Sequence, residues 1–195
     1  MEDFDDIFIV NDDSAKVRKG SILISEPLGR DMFFKKSVIL IVEHNRKGSV
    51  GFVINKPLFL PMREIFDKFP SIPDNISLGG PVELNSLHFI HTLGDMFGEA
   101  KRLKSNLYWG GDFEQMQMLM KAGLVDTTQI KFFVGYSGWE PGQLDDELSR
   151  SQWVVSKLSA EKIINSPRDL WNECIESLGQ RFKPWLHVPD EPALN

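Results

Sequence analysis

The amino-acid sequence predicts an α+β fold, a mostly antiparallel sheet with short helices packed on it. Three observations lead there. Apolar, β-branched runs fill residues 21–56, and the connections between them are too short for the helical crossover that a parallel neighbour requires. Helical periodicity is confined to short stretches, each opened or closed by Pro, Gly, Ser or Asp. The elements follow the order β-β-β-α-β-β-α-β-α-β-α, which lacks the regular alternation of a doubly wound α/β chain.

Residues 1–19 combine acids, a short apolar run and basic residues, and are expected to form an acidic N-terminal arm ahead of one domain over residues 20–195. "SILIS" (21–25) is a short strand ended by the turn "EPLGRD". "SVILIVEHN" (37–45) is apolar at successive positions, the pattern of a strand covered on both faces. "GSVGFVINKP" (48–57) follows at once, so the two form a hairpin whose second strand stops at Pro57, which has no N–H to give the ladder. "PMREIFDKFP" (61–70) is bounded by prolines and puts Met62, Ile65, Phe66 and Phe69 on one face of a short helix.

"LGGPVELNSLHFIHTL" (78–93) opens on a glycine turn and continues as a strand with Leu87, Phe89, His91 and Leu93 on one side. "NLYWGGDFEQMQMLMKAG" (106–123) is strand, glycine turn and helix, with Asp112 as N-cap and Gly123 just past the C-terminus. "QIKFFV" is a core strand. "GYSGWEPGQL" (135–144) is expected to be the corner between that strand and the next helix: Gly135 and Gly138 allow close approach, Trp139 anchors the corner and Pro141 takes the first helical position. Gln143 reaches back as a capping side chain, and Leu144 and Leu148 face the core, so only the Tyr136 and Ser137 hydroxyls lack a structural task. "SQWVVS" is a strand, and "SPRDLWNECIESLGQRF" a closing helix with Ser166 as cap, Pro167 in the first position and Gly179 as stop.

Composition narrows the function classes. A hydrophobic content of 42% over 195 residues supports a buried core, and a net charge of -6 with scattered basic residues argues against a nucleic-acid footprint. Nor is there a helix-turn-helix pattern. The acidic start "MEDFDDIFIV" and the lack of a long apolar run point to a cytoplasmic protein without a membrane anchor. The single cysteine, Cys174, sits at helical spacing among apolar residues and is expected to be a buried small hydrophobe.

Candidate chemistry is sparse. His88 and His91 are three apart on a strand and point to opposite faces, so they cannot chelate one metal, and no metal or cofactor is expected. A nucleophile elbow needs Gly-x-Ser-x-Gly, whereas 135–139 reads Gly-Tyr-Ser-Gly-Trp. Of the two glycine pairs, Asp112 would set a negative charge beside Gly110 and Gly111, which leaves Gly79 and Gly80 in "GGP" as the one open anion cradle. The best polar cluster joins His44 and Asn45 to Asn55 and Lys56, on the expectation that the hairpin brings "EHN" and "NKP" to the same end of the sheet. These residues are either turn residues satisfying local backbone or a small site offering an imidazole and an ammonium to a polar or anionic ligand.

"GSILIS", Phe34 with "SVILIVEHN", "GFVINKP", "LGGPV" and above all "GYSGWEPGQLDDEL" occur in an order that resembles the YqgE/AlgH family of bacterial proteins, from about Gly20 to the region of Trp171. The resemblance implies an α+β fold with bifurcated, coiled β-sheets. It implies no established enzymatic activity or cofactor, and one branch of the family bears a transcriptional-regulator label linked to alginate production. Together, residues and resemblance favour a non-enzymatic binding or regulatory protein that meets a small molecule or protein partner through His44, Asn45, Asn55, Lys56, Gly79, Gly80, Tyr136 and Ser137. Two alternatives stand beside it, a transcriptional regulator and a hydrolase or nucleotide-handling enzyme using Ser137 or His44.

Overall fold

A computed structural model describes residues 16–29, 31–59 and 76–189 of the chain. The expected helix at 61–70 and residues 1–15 of the arm lie outside the described residues. The strands are β1 (Ile22–Ser25), β2 (Val38–Asn45), β3 (Gly48–Val53), β4 (Ile76–Leu78), β5 (Val82–His91), β6 (Lys101–Lys104), β7 (Leu107–Trp109), β8 (Ile130–Trp139) and β9 (Trp153–Ser156). The helices are α1 (Phe113–Lys121), α2 (Gln143–Ser149), α3 (Ala160–Ile164), α4 (Leu170–Ser177) and α5 (Lys183–Leu186). All nine strands join one sheet in the order β6-β7-β5-β8-β3-β2-β1-β9, with β4 attached beside β8. Every pair along that order is antiparallel, and β4 with β8 is the parallel exception.

Period-2 geometry explains why the early strands are apolar at successive positions. Ile22, Ile24, Val38, Leu40 and Phe52 point to one face, where α3 and α4 cover them with Ile163, Trp171, Cys174 and Ile175. Leu23, Ile39, Ile41 and Val53, one residue out of phase, point to the other face and pack with Trp139, Trp153 and Leu144 of α2. A third cluster gathers Phe89, Phe97, Ile130, Phe132 and Val134 under Met116 of α1. Full burial of each such side chain is worth about 1.5–3 kcal/mol. Phe52 and Phe133 stack at 4.6 Å between centroids, which adds about 1 kcal/mol beyond the area they bury.

Helix starts follow local chemistry. Asp112 caps α1 by accepting from the Gln115 N–H at 3.0 Å, and Gly123 sits past its end at φ +66°. Ser159 caps α3 in the same manner through the Lys162 N–H. Ser166 does not cap: its hydroxyl donates to the Ile54 carbonyl at 2.6 Å, and α4 begins only at Leu170. Helix α2 is tied down by Glu147, whose Oε2 accepts from the indole N–H groups of Trp139 (2.8 Å) and Trp153 (2.7 Å). Cys174 is buried, and that burial pushes its thiol up to about 12.

The stretch 135–144 is not a corner. Strand β8 runs on through Trp139, and α2 opens only at Gln143, after a turn whose Gly142 lies at φ +80°. Gln143 does reach back, accepting from the Glu140 N–H at 3.0 Å. The glycines serve a different purpose. One edge of β8 pairs with β4 at Phe132–Val134 and with β3 at Ser137–Trp139, while the opposite edge pairs with β5. Since β4 ends at Leu78 and β5 begins at Val82, residues 79–81 carry the chain across the face of β8. Two strand spacings are about 9.5 Å, and a step from Leu78 to Val82 reaches at most about 14 Å, so the crossing is direct and close.

Its closeness shows in what a side chain would meet. A Cβ on Gly80 would overlap the Tyr136 carbonyl, and one on Gly135, at φ +65°, would stand 2.8 Å from the Gly80 and Val82 carbonyl oxygens. Gly79 is the branch point: its N–H donates to the Val134 carbonyl, and its own carbonyl accepts from the Val53 N–H and the Ser137 hydroxyl. The sheet bifurcates here, with β3 and β4 leaving the same edge of β8.

Two lysines are drawn into the fold. Lys131 on β8 is 3% exposed, and Lys104 on β6 donates its ammonium to the Leu158 carbonyl. Burial pushes both down to about 8 from an ordinary value of 10.5.

Gly80→Ala is expected to cost about 4 kcal/mol or more, because backbone must move to admit the methyl, whereas Gly123→Ala, in open space at φ +66°, costs about 1 kcal/mol; urea unfolding midpoints measure both. The folded chain releases the Lys131 proton near pH 8, while the unfolded chain holds it to about 10.5. The unfolded state therefore binds more protons in that window, and stability rises with pH, by about 1 kcal/mol between about pH 8 and 9 for this group alone. Lys131→Met should flatten that part of the profile in parallel urea titrations.

Candidate functional site

The eight residues singled out from the sequence separate into three places. In the β2–β3 hairpin Asn45 pairs with Gly48 and His44 with Ser49, so both lie at the turn. Asn55 and Lys56 lie past the opposite, open end, where the Val38 N–H donates to Asn55 Oδ1 at 2.9 Å. The expected shared end is thus wrong. In an antiparallel hairpin the residues that flank the turn meet each other, and "NKP", at the far end of the second strand, is carried roughly 20 Å away. Gly79, Gly80, Tyr136 and Ser137 form the crossing between these ends.

At the turn, Asn45 Oδ1 accepts from the Lys47 N–H at 2.7 Å while its amide donates to Glu43, so it acts as a turn residue. The cavity beside it, about 350 Å³, has walls of mixed sign, with Glu43, Glu140 and Lys47 around Tyr136 and Ser49. His44 Nδ1 lies 2.8 Å from Ser49 Oγ, and among the described residues no carboxylate orients the other ring nitrogen. Gly79 and Gly80 are buried against β8, so the expected oxyanion cradle is filled by protein backbone.

Ser137 and Ser86 are already committed. Ser137 is buried and donates its hydroxyl proton to the Gly79 carbonyl at 3.0 Å, and Tyr136 packs edge-on to His88. Ser86 donates to the Glu83 carbonyl at 2.7 Å, which leaves its oxygen to accept from His88 Nε2, at 3.0 Å. His91, on the other face, accepts from the Leu93 N–H through Nδ1 and donates from Nε2 to the Gly110 carbonyl. Burial holds both histidines below the ordinary value, which favours the neutral form. Among the described residues no group of three or more His, Cys, Asp or Glu could hold a metal, and no helix is long and apolar enough to cross a membrane.

The open end of the hairpin holds the larger cavity, about 600 Å³. Among the described residues its cations are Lys35, Lys36, Lys56 and Arg168, and the acid on its wall is Asp169. Asn55 builds it: the buried amide accepts from the Val38 N–H and donates to the Lys36 carbonyl at 2.9 Å, holding Lys36 in the left-handed region at φ +49°. Lys36 then lies over the Trp171 ring, 5.5 Å from its centroid, and the indole N–H of Trp171 donates to the Ser25 carbonyl at 2.9 Å. Lys56 donates to the Phe33 carbonyl and lies 4.9 Å from the Phe33 ring centroid. Burial lowers the Lys56 pKa, partly opposed by the Asp31 carboxylate. Arg168 precedes α4, whose N-cap Asp169 bonds Asn172 and leaves the first-turn amides without a side-chain cap.

Of the residues singled out from sequence, only Asn55 and Lys56 line this cleft. Lys35, Lys36 and Arg168 read as scattered surface cations, and more than a hundred residues separate the first two from the third. The one local signal was "NKP" after an apolar run, which marks where a strand delivers polar side chains to a sheet end.

The family model described as AlgH-like (DUF179) matches residues 22–183. A UPF0301 protein of Parabacteroides distasonis is 38% identical over 198 residues, covering 100% of both chains. A UPF0301 protein of Bacteroides thetaiotaomicron is 38% identical over 193 residues, 97% of each. Among solved structures, the solution structure of AlgH from Pseudomonas aeruginosa, a UPF0301 protein, matches with a TM-score of 0.68 and 26% identity over 88% of this chain and 94% of that one. A crystal structure from Corynebacterium diphtheriae matches with a TM-score of 0.70 at 20% identity over 88% and 92%, a likeness of fold. Family model, relatives and the bifurcated sheet agree, and this chain belongs to the AlgH-like (UPF0301) family of bacterial proteins.

Proposed function

We propose that this protein binds a small anionic molecule in the cleft at the open end of the β2–β3 hairpin and that it acts by binding rather than by catalysis. One observation carries this: on a chain of net charge -6, three separate segments bring Lys35, Lys36, Lys56 and Arg168 to one cavity. A local gathering of positive charge in a cleft attracts anions from solution. The lowered Lys56 pKa is in keeping with this, since burial has already removed part of its water and an incoming anion would favour its charged form. The occupied ring nitrogens of His91 and the committed hydroxyls of Ser86 and Ser137 support binding over acyl transfer at those residues.

Inorganic pyrophosphate is the probe for calorimetric titration of the full chain. Each charge-assisted contact is worth about 1.5–3 kcal/mol, so the double variant Lys56→Met with Arg168→Ala should weaken binding by more than about tenfold while leaving the unfolding midpoint nearly unchanged. Affinity should fall with added salt and as pH rises through the point where the Lys56 ammonium loses its proton, because the bound state favours that proton. No binding by the parent protein, or equal binding by the double variant, would overturn the assignment.

A further inference from the structure

We propose that the occupant of the cleft is a nucleoside phosphate, with its phosphate on the cations and its base on Phe59. This rests on the anion-binding reading above and adds what the rest of the cavity is for. A bare phosphate fills only a small part of about 600 Å³, a volume in the range that holds a whole cofactor-sized molecule. The wall is not uniformly charged. Pro57 and Phe59 stand on the same cavity as Lys56, so the ligand that fits carries an apolar, flat portion next to its negative one.

Phe59 is placed for that task. It is 82% exposed, while its neighbour Leu58 packs against the cluster under α1. The segment between them and Lys56 is fixed by two backbone bonds, from Leu58 N–H to the Ile76 carbonyl at 2.9 Å and from Leu78 N–H to the Lys56 carbonyl at 2.8 Å. The chain is held at Lys56 and Leu58, one residue before Phe59, so the exposed phenyl ring stands beside the cations as a stacking surface. Trp171 cannot serve instead, because it is buried and Lys36 lies over its ring. A stacking ring beside a cluster of cations is the combination that recognises base and phosphate together.

Equilibrium titration of the full chain with AMP, ribose 5-phosphate and adenosine separates the parts. AMP should bind about tenfold or more tightly than ribose 5-phosphate, and adenosine alone more weakly than either. Because stacking tolerates any base, GMP and UMP should fall within a few-fold of AMP. Phe59→Ala should bring AMP to the affinity of ribose 5-phosphate and leave ribose 5-phosphate unchanged, while Phe59→Tyr keeps the preference. If ribose 5-phosphate and pyrophosphate bind but AMP gains nothing over them, or if Phe59→Ala leaves the AMP preference intact, the nucleotide assignment falls and the anion site stands. If none of these phosphates binds, both fall.

Discussion

The structure depends on a backbone crossing. Strand β8 takes partners on both edges, and the chain reaches the second edge by stepping over it at residues 79–81. Any Cβ at Gly80 would collide with the strand beneath, and the left-handed Gly135 bends that strand to receive the crossing. Through the Gly79 carbonyl, which takes both a β3 amide and the Ser137 hydroxyl, the crossing also sets where β3 leaves β8. Everything downstream follows from this point: the split of the sheet, the position of the hairpin, and the cleft at the hairpin's open end.

The apolar strand runs and the ends of α1 were legible from local pattern, because Asp112 and Gly123 act over a few residues, whereas Ser166, expected as a cap, bonds the Ile54 carbonyl instead. The family motifs were legible for the same reason. What "GYSGW" does was not, since glycines that permit a turn and glycines that permit another chain to pass are the same in one dimension. Short segments were also missed: β6, α3 and α5 are four or five residues long, below the length at which periodicity speaks. In the candidate cleft, Asn55 and Lys56 were named from sequence but paired with the wrong end of the hairpin. Arg168 was not legible at all, because only the closing of α4 over the sheet brings it near the lysines.

The cleft and the buried lysines show how one charge type serves two ends. Lys104 hands its ammonium to a carbonyl and, like Lys131, lies in the fold, where burial weakens its hold on a proton. Lys36 and Lys56 are laid against aromatic rings at the edge of open space, Lys56 also donating to the Phe33 carbonyl. Aromatic faces hold a cation in place through the ring quadrupole. The acidic surplus of the rest of the chain sharpens the contrast between the cleft and its surroundings.

Asn55 gives the cleft its mechanical character. Its two hydrogen bonds hold the Lys36 backbone in a conformation that costs a non-glycine residue about 1 kcal/mol, and that cost is met once, during folding. Nothing in the Lys36–Val38 segment then has to rearrange when a ligand arrives. For the proposed ligand this preformed segment implies association in a single diffusive step, with differences in affinity between ligands carried by how long each one stays.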